Sequence, residues 1–390
     1  MKLLMYGAGS IGRGFIGPLF AQSGFEVVFV DIDCNIIDAL NKRRSYHYTV
    51  ASDVPYDISV ENVRGVYGDD TQAISKEVAT CDIMATSLGG AILQKVSPII
   101  ASGFSLRMSE NRKPLNILIC ENLKDAAHQM HNWLIDSLPE GDKPLLDKYC
   151  GLIEAAIGRM VPIAVPNQAD PLHVTVEEYS FLPVDKAAFV GNLPDVKGLF
   201  LYSPFAFYEE RKLYLHNMGH SISAYLGMLQ GHDTIAQSIS DPIIRLLVQN
   251  AMIESSAMLS QKHSIPFIQI YDHAEDLLFR FGNSALGDTC ERVGRDPLRK
   301  LHFSDRLAGA LHHCWEYEVH PVYIALGYAA ALKSITEDIN KAEEIASEVG
   351  KLQEAQMLLV MNLFSKLGKP DMRLLQIAEQ IKKELRGDVV

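Results

Sequence analysis

The chain has 390 residues, enough for two domains that each bury a core. Hydrophobic residues make up 48% and charged residues 22%, the usual balance of a soluble globular protein. A net charge of −12 argues against a nucleic acid or an anionic membrane as partner, since either usually needs a basic face. It leaves room for an anionic small molecule held by a local cluster of Arg and Lys.

The N-terminal half alternates short apolar runs with amphipathic segments, the pattern of βαβ units. Lys2 to Tyr6 reads as a buried strand, Ile11 to Gln22 as a helix, and Glu26 to Val30 as a second strand ending at Asp31. Asp82 to Thr86 and Leu115 to Cys120 are further strands, and strand-like sequence recurs at Gly151 to Ile157 and Leu172 to Tyr179. From Pro204 helical periodicity dominates to the end. It includes a stretch from Lys351 to Leu385 in which Met357, Leu358, Met361 and Phe364 read as helix core. Gly, Pro and Asp cluster between Gly191 and Pro204. The expected division is therefore an α/β domain of Rossmann type over 1–195 and a mainly α-helical domain over 196–390.

The six cysteines, Cys34, Cys81, Cys120, Cys150, Cys290 and Cys314, form no C-x-x-C pair. Neither a disulfide framework nor a zinc cage is expected, and reduced thiols suit a cytoplasm. The apolar run at Met1–Gly7 is too short for a signal peptide. No stretch approaches the ~18 apolar residues that span a bilayer. A soluble cytoplasmic protein is the expectation.

Gly7-Ala8-Gly9-Ser10-Ile11-Gly12 follows the first strand and opens a helix. In such a motif the first glycine permits a tight turn, the second lets backbone approach a pyrophosphate, and the third lets helix pack on strand. The helix N-terminus then offers free N–H groups to phosphates. Glycine turns are common, but here a strand precedes, a helix follows, and Asp31 ends the next strand nineteen residues past Gly12. Asp31 suits a ribose 2′-hydroxyl and repels a 2′-phosphate, so NAD is expected over NADP. Arg13 reads as a cap of the turn. Ser87, in Thr86-Ser87-Leu88-Gly89-Gly90, follows another strand at the place where a loop covers the nicotinamide end of such a cofactor.

Lys212, Asn217 and His220 crowd into nine positions. Oxidising an alcohol needs a base for the hydroxyl proton and donors for the oxygen that becomes a carbonyl. A lysine serves as base only where burial or a cationic neighbour lowers its pKa toward 7–8, and Arg211 is adjacent. Any one of the three alone reads as a solvated or internally satisfied side chain. Beside a cofactor motif the trio reads as a metal-free alcohol dehydrogenase site. On an unbroken helix Lys212 and His220 would stand about 12 Å apart along the axis, so a bend is expected within the segment, with Gly219 its weak point. Arg292, Arg295, Arg299 and Lys300 are the densest basic cluster. They read either as a site for phosphate or sugar hydroxyls, or as ion pairs with Asp288, Glu291 and Asp296.

The blocks Gly7 to Gly17 (GAGSIGRGFIG), Leu115 to Asn122 (LNILICEN), Arg211 to Gly227 (RKLYLHNMGHSISAYLG) and Arg292 to Leu301 (RVGRDPLRKL) resemble the polyol-specific long-chain dehydrogenases, in the same order. The resemblance implies metal-independent interconversion of mannitol 1-phosphate and fructose 6-phosphate. It implies Lys212 as general acid/base, with Asn217 and His220 binding the reacting oxygen and Asn122 as a further oxyanion donor. Glu209 matches a carboxylate that relays protons or gates water, and Arg292 and Lys300 match substrate contacts. The chain departs from the family at Gly158, which stands where an acidic residue is usual near the substrate region. That departure leaves two alternatives open: a hexuronate or non-phosphorylated polyol dehydrogenase, and an NAD-binding regulatory protein without turnover. His312-His313 lacks a carboxylate or thiol at zinc-ligand spacing, and no metal is expected.

Overall fold

Leu3, Leu4, Met5 and Tyr6 are all buried, so the first strand has to be covered on both faces, as a central strand of a parallel sheet is. In the computed structural model, which describes residues 1–52, 54–161, 170–367 and 376, it has that place. The chain divides into two compact units, Met1–Ala206 and Phe207–Val390.

The first unit carries strands β1 (Lys2–Tyr6), β2 (Glu26–Asp31), β3 (Ser45–Val50), β4 (Tyr56–Glu61), β5 (Val63–Tyr67), β6 (Ile83–Thr86), β7 (Leu115–Ile119), β8 (Cys150–Glu154), β9 (Val174–Val176), β10 (Leu182–Asp185) and β11 (Leu199–Tyr202). Its helices are α1 (Gly17–Gln22), α2 (Cys34–Arg43), α3 (Thr71–Thr80), α4 (Gly90–Glu110), α5 (Ala126–Ser137) and α6 (Lys143–Tyr149). Six parallel strands lie in the order β5-β2-β1-β6-β7-β8. Alternate residues of β1 enter two separate cores: Leu3 and Met5 pack with Val27 and Phe29, and Leu4 and Tyr6 with Val28 and Val30. The order reverses at β1, and in open α/β sheets ligands bind outside the carboxyl ends of the strands at such a point. The fingerprint leaves β1 there.

The hairpin β3–β4 pairs with β9 in a small sheet, and β10–β11 is a parallel pair; β3, β4, β5, β10 and β11 are not among the strands expected from sequence. β3 and β4 alternate polar and apolar residues, β5 carries Arg64 and Gly65 at the sheet edge, and β10 and β11 are four residues each. The strand expected over Leu172 to Tyr179 shrinks to β9.

The second unit is helical: α7 (Ala206–Glu210) leads through a π-helical segment, Arg211–Asn217, into α8 (Met218–Gln230). There follow α9 (Ile235–Ser240), α10 (Pro242–His263), α11 (Phe267–Phe281), α12 (Cys290–Gly294), α13 (Pro297–Lys300), α14 (Ala308–Glu316), α15 (Val322–Lys333), α16 (Ile339–Glu348) and α17 (Glu354–Lys366). Residues Val322 to Leu332 of α15 are all buried. At its N-terminus the buried Glu254 of α10 accepts from the backbone N–H of Tyr323 at 3.1 Å and Ile324 at 3.0 Å, occupying orphan donors of the first turn. In α17 Met361 and Phe364 are core as expected, but Leu358 is 73% exposed and is not. Of the Lys351–Leu385 stretch, the part beyond Leu367 lies outside the described residues, Gln376 excepted. No helix among the described residues is long and apolar enough to cross a membrane.

Candidate functional site

Gly7 leaves β1 at φ +109°, a backbone that favours glycine, and a Cβ there would lie 2.4 Å from the Ser87 carbonyl oxygen. A Cβ on Gly12 would lie 2.1 Å from the Gly7 oxygen, so the third glycine serves the turn itself. A Cβ on Gly9 would meet nothing within 4 Å, so the loop has open space at the residue expected to face a pyrophosphate. The helix starts at Ser10, after Gly9, which has no side chain to cap it, and widens into a π-helical turn, Gly12–Ile16, before α1. The expected helix Ile11–Gln22 thus starts one residue earlier and carries a wide turn near its start. Arg13 is buried, donates from Nε to the Ala8 carbonyl at 2.5 Å and from Nη1 to Pro171 at 2.8 Å, and so stitches the loop internally.

Asp31 accepts from the Ala8 N–H at 2.7 Å and the Asp33 N–H at 3.0 Å. A carboxylate has about four lone-pair positions, so acceptors remain for ribose hydroxyls. Ser87 donates its N–H to the Tyr6 carbonyl at 2.9 Å. The next two N–H groups, of Leu88 and Gly89, donate to the two oxygens of buried Glu121 at 2.9 and 2.7 Å. Glu121 was not singled out from sequence, yet it ties the Ser87 loop to the end of β7, beside the exposed Asn122. The fingerprint residues fit a dinucleotide: a turn with no clash, an uncapped helix start and an acid at the end of β2.

Gly158 packs at the Tyr179 ring, which a Cβ would approach to 3.2 Å. Next to it Arg159 is buried, donating to the carbonyls of Glu177 at 2.8 Å and Gly14 at 3.1 Å. The run that contains them ends at Pro162, outside the described residues.

In the second unit, half-buried Lys212 and Asn217 lie within the π-helical segment, Glu209 precedes it on α7, and His220 follows on α8. The irregularity expected in this stretch is therefore present, but not at Gly219, where α8 is regular. Gly219 instead lets the helix approach Met252, whose Sδ would lie 2.9 Å from a Cβ there. In an α-helix residues five apart point about 140° from each other, whereas the i→i+5 bonding of a π segment brings them near one face. Lys212 and Asn217 are five apart.

His216, within this segment, and His273 of α11 are neutral rings. Burial, then Arg280, His220, His273 and Lys212, hold His216 well below the usual imidazole range, and burial with Arg211 and Arg280 pulls His273 down to about 2. His220 stacks on Phe281, with ring centroids 4.9 Å apart. Its Nε2 lies 3.1 Å from Asp288 Oδ2, without the alignment of a good hydrogen bond. Nδ1 is the nitrogen left to meet a ligand. Burial alone would raise the Asp288 pKa; His220 and Arg292 outweigh it and lower the group.

The four basic candidates separate. Arg292 donates from Nε to Asp288 at 2.6 Å, one of the ion pairs that the sequence offered as the plain alternative. Arg295 is exposed, and Arg299, also exposed, pairs with Asp305 at 3.0 Å. Lys300 is only 3% exposed, with no ion pair within 4 Å among the described residues. Burial, then Arg306 and Arg299, push its pKa down to about 8. Arg306, buried and bonded from Nε to Asp305 at 2.8 Å, is absent from the sequence reading. Nothing in the Ser-Asp-Arg loop distinguishes it from a solvated arginine. Of these two buried cations only Arg306 has a carboxylate within ion-pair distance, Asp305, which Arg299 also engages, an arrangement that suits an anion. Among the described residues no group of three His, Cys, Asp or Glu side chains could hold a metal.

Residues 1–198 match the family described as the mannitol dehydrogenase Rossmann domain, and residues 205–381 the mannitol dehydrogenase C-terminal domain. Mannitol 2-dehydrogenase of Pseudomonas fluorescens, solved as a ternary complex with NAD and D-mannitol, is similar in structure, with a TM-score of 0.75 at 14% identity. The match covers 98% of this chain and 94% of that one. A substrate-free D-sorbitol dehydrogenase matches with a TM-score of 0.71 at 13% identity, over 99% of this chain and 93% of that one. At those identities the likeness is one of fold.

Proposed function

Because the chain belongs to the mannitol dehydrogenase family, we propose that it oxidises mannitol 1-phosphate to fructose 6-phosphate with NAD, and runs the reverse reduction, as a mannitol-1-phosphate 5-dehydrogenase does. Gly7, Gly9, Ser10, Ile11, Gly12, Asp31 and Ser87 would hold NAD, which when bound would supply a two-electron acceptor for a hydride from the carbinol carbon. Lys212 takes the hydroxyl proton as the C–O bond becomes a carbonyl, and returns it in reduction. Asn217 and Asn122 donate to the reacting oxygen, His220 meets it through Nδ1, and Glu209 passes the proton of Lys212 toward solvent. Each positioned donor of this kind is typically worth a few kcal/mol in the transition state.

The observation that carries the phosphorylated substrate is the buried Lys300 ammonium beside Arg306, short of counterions. Arg292, Arg295 and Arg299 lie in the same stretch and complete the basic set. A uronate carboxylate would also answer that charge, so a hexuronate is the second reading, and Gly158 in place of an acid favours neither. Comparing kcat/KM with NADH for fructose 6-phosphate, fructose and tagaturonate decides among them. Fructose 6-phosphate is expected to lead fructose by about 100-fold or more, the scale of roughly 3 kcal/mol for a charge-assisted anion contact. Equal values for phosphate and free sugar would end the phosphate reading, and no NADH consumption with any of the three would favour a regulatory protein. Lys212→Ala is expected to lose about 100- to 10,000-fold in kcat with NADH binding unchanged.

A further inference from the structure

A π-helical turn is wider than an α-turn and bonds i→i−5, so where it hands back to an α-helix the backbone ladder can pass over a carbonyl, and a side chain can serve it. In Arg211–Asn217 one carbonyl takes a donor from another helix. Ser255 of α10, fully buried, donates its hydroxyl to the Tyr214 carbonyl oxygen at 2.6 Å. Buried helical serines usually turn back on their own helix. Ser256, the next residue, does so, donating to Met252 O at 2.7 Å, and on α8 Ser221 and Ser223 donate to Asn217 O and Gly219 O, each at 2.8 Å. Ser255 departs from that habit and reaches across to the segment that holds Lys212 and Asn217.

The same helix fixes the start of the segment. Glu210 pairs with Lys262 at 2.9 Å and His263 at 2.7 Å. The Tyr214 ring lies against Gly309 of α14, where a Cβ would come within 2.7 Å of it. These contacts hold side chains of and beside the segment, whereas Ser255 acts on its backbone.

We propose that Ser255 is a positioning residue, whose hydroxyl holds the π-helical register of Arg211–Asn217 and so keeps Lys212 and Asn217 near one face. The role in catalysis rests on the reading of Lys212 as acid/base. Without the hydroxyl the π-helical register loses this buried cross-helix bond, and return to an α-helical register would rotate Lys212 away from Asn217.

The test is Ser255→Ala in the full chain, with Ser256→Ala as the control for losing a buried hydroxyl. Ser255→Ala is expected to lower kcat by roughly 10- to 100-fold, the scale of a misplacement of about 1 Å. NADH affinity stays at the wild-type value, the acid limb of the kcat pH profile moves, and amide hydrogen exchange of 211–217 quickens. Ser255→Cys, which keeps the volume and offers a weaker donor, falls between the two and serves if the alanine variant does not fold. Ser256→Ala keeps wild-type kcat. If Ser255→Ala matches Ser256→Ala in kcat, pH profile and exchange, the proposal is wrong. If Lys212→Ala turns over like wild type, the acid/base reading falls instead, and the exchange of 211–217 in Ser255→Ala still decides what Ser255 holds: wild-type exchange overturns it.

Discussion

At the scale of single residues, charge and burial set the chemistry more than residue type does. Lys300 and Lys212 are both lysines on a helical unit, but Lys300 is buried next to two arginines and its pKa falls to about 8. A cation below that pH becomes a neutral amine above it. If Lys300 holds the substrate phosphate, KM for fructose 6-phosphate should rise as pH climbs from 7 through 8 to 9, with kcat less affected. In Lys300→Arg, which stays charged throughout, that rise should vanish. A KM that is flat with pH in the wild-type enzyme would remove Lys300 from the phosphate site. Asp288 shows the opposite balance: burial would raise it, and His220 with Arg292 keep it ionised.

At the scale of elements, one buried carboxylate anchors another helix. Glu254 takes N–H groups at the start of α15, whose own sequence offers no capping side chain. In Glu254→Gln only one oxygen remains to accept. The predicted cost is about 1–3 kcal/mol, the price of a buried donor left unpaired. It would appear as a lower urea midpoint with unchanged slope, whereas Glu343→Gln, at an exposed position, should leave the midpoint in place. The central strands were legible in sequence because residues such as Leu3, Met5, Val28 and Ile117 form apolar runs that only a doubly covered sheet accommodates. The hairpin β3–β4 was not, because Tyr46, Tyr48 and Val50 alternate with polar residues and need a partner surface distant in sequence. The Lys212–Asn217–His220 spacing stood out, and so did the need for a distortion within it. Its π-helical form did not, because a one-residue widening leaves no trace in apolar periodicity. Arg306 and Ser255 were invisible for a related reason: what each one touches is fixed by tertiary packing.

At the scale of the whole molecule, the proposed roles divide between the two units. NADH at 100 times its Kd should slow local opening about 100-fold, equivalent to about 2.7 kcal/mol. The protection, read by amide exchange, is expected in peptides spanning 7–17 and 86–90. Fructose 6-phosphate added with NADH should extend it to 292–306. Protection of 292–306 by NADH alone, with 7–17 unchanged, would reverse the assignment. The thiols are spread unevenly over this architecture. Cys81, Cys120, Cys150, Cys290 and Cys314 are buried, and burial pushes Cys81 and Cys150 up to about 12, so reagents that need a thiolate find none there. Cys34 alone is exposed, three residues past Asp31 at the start of α2. A maleimide dye added to the folded chain would therefore settle on one atom, next to the proposed ribose contact, and give a fluorescent view of the cofactor's arrival without any engineered handle.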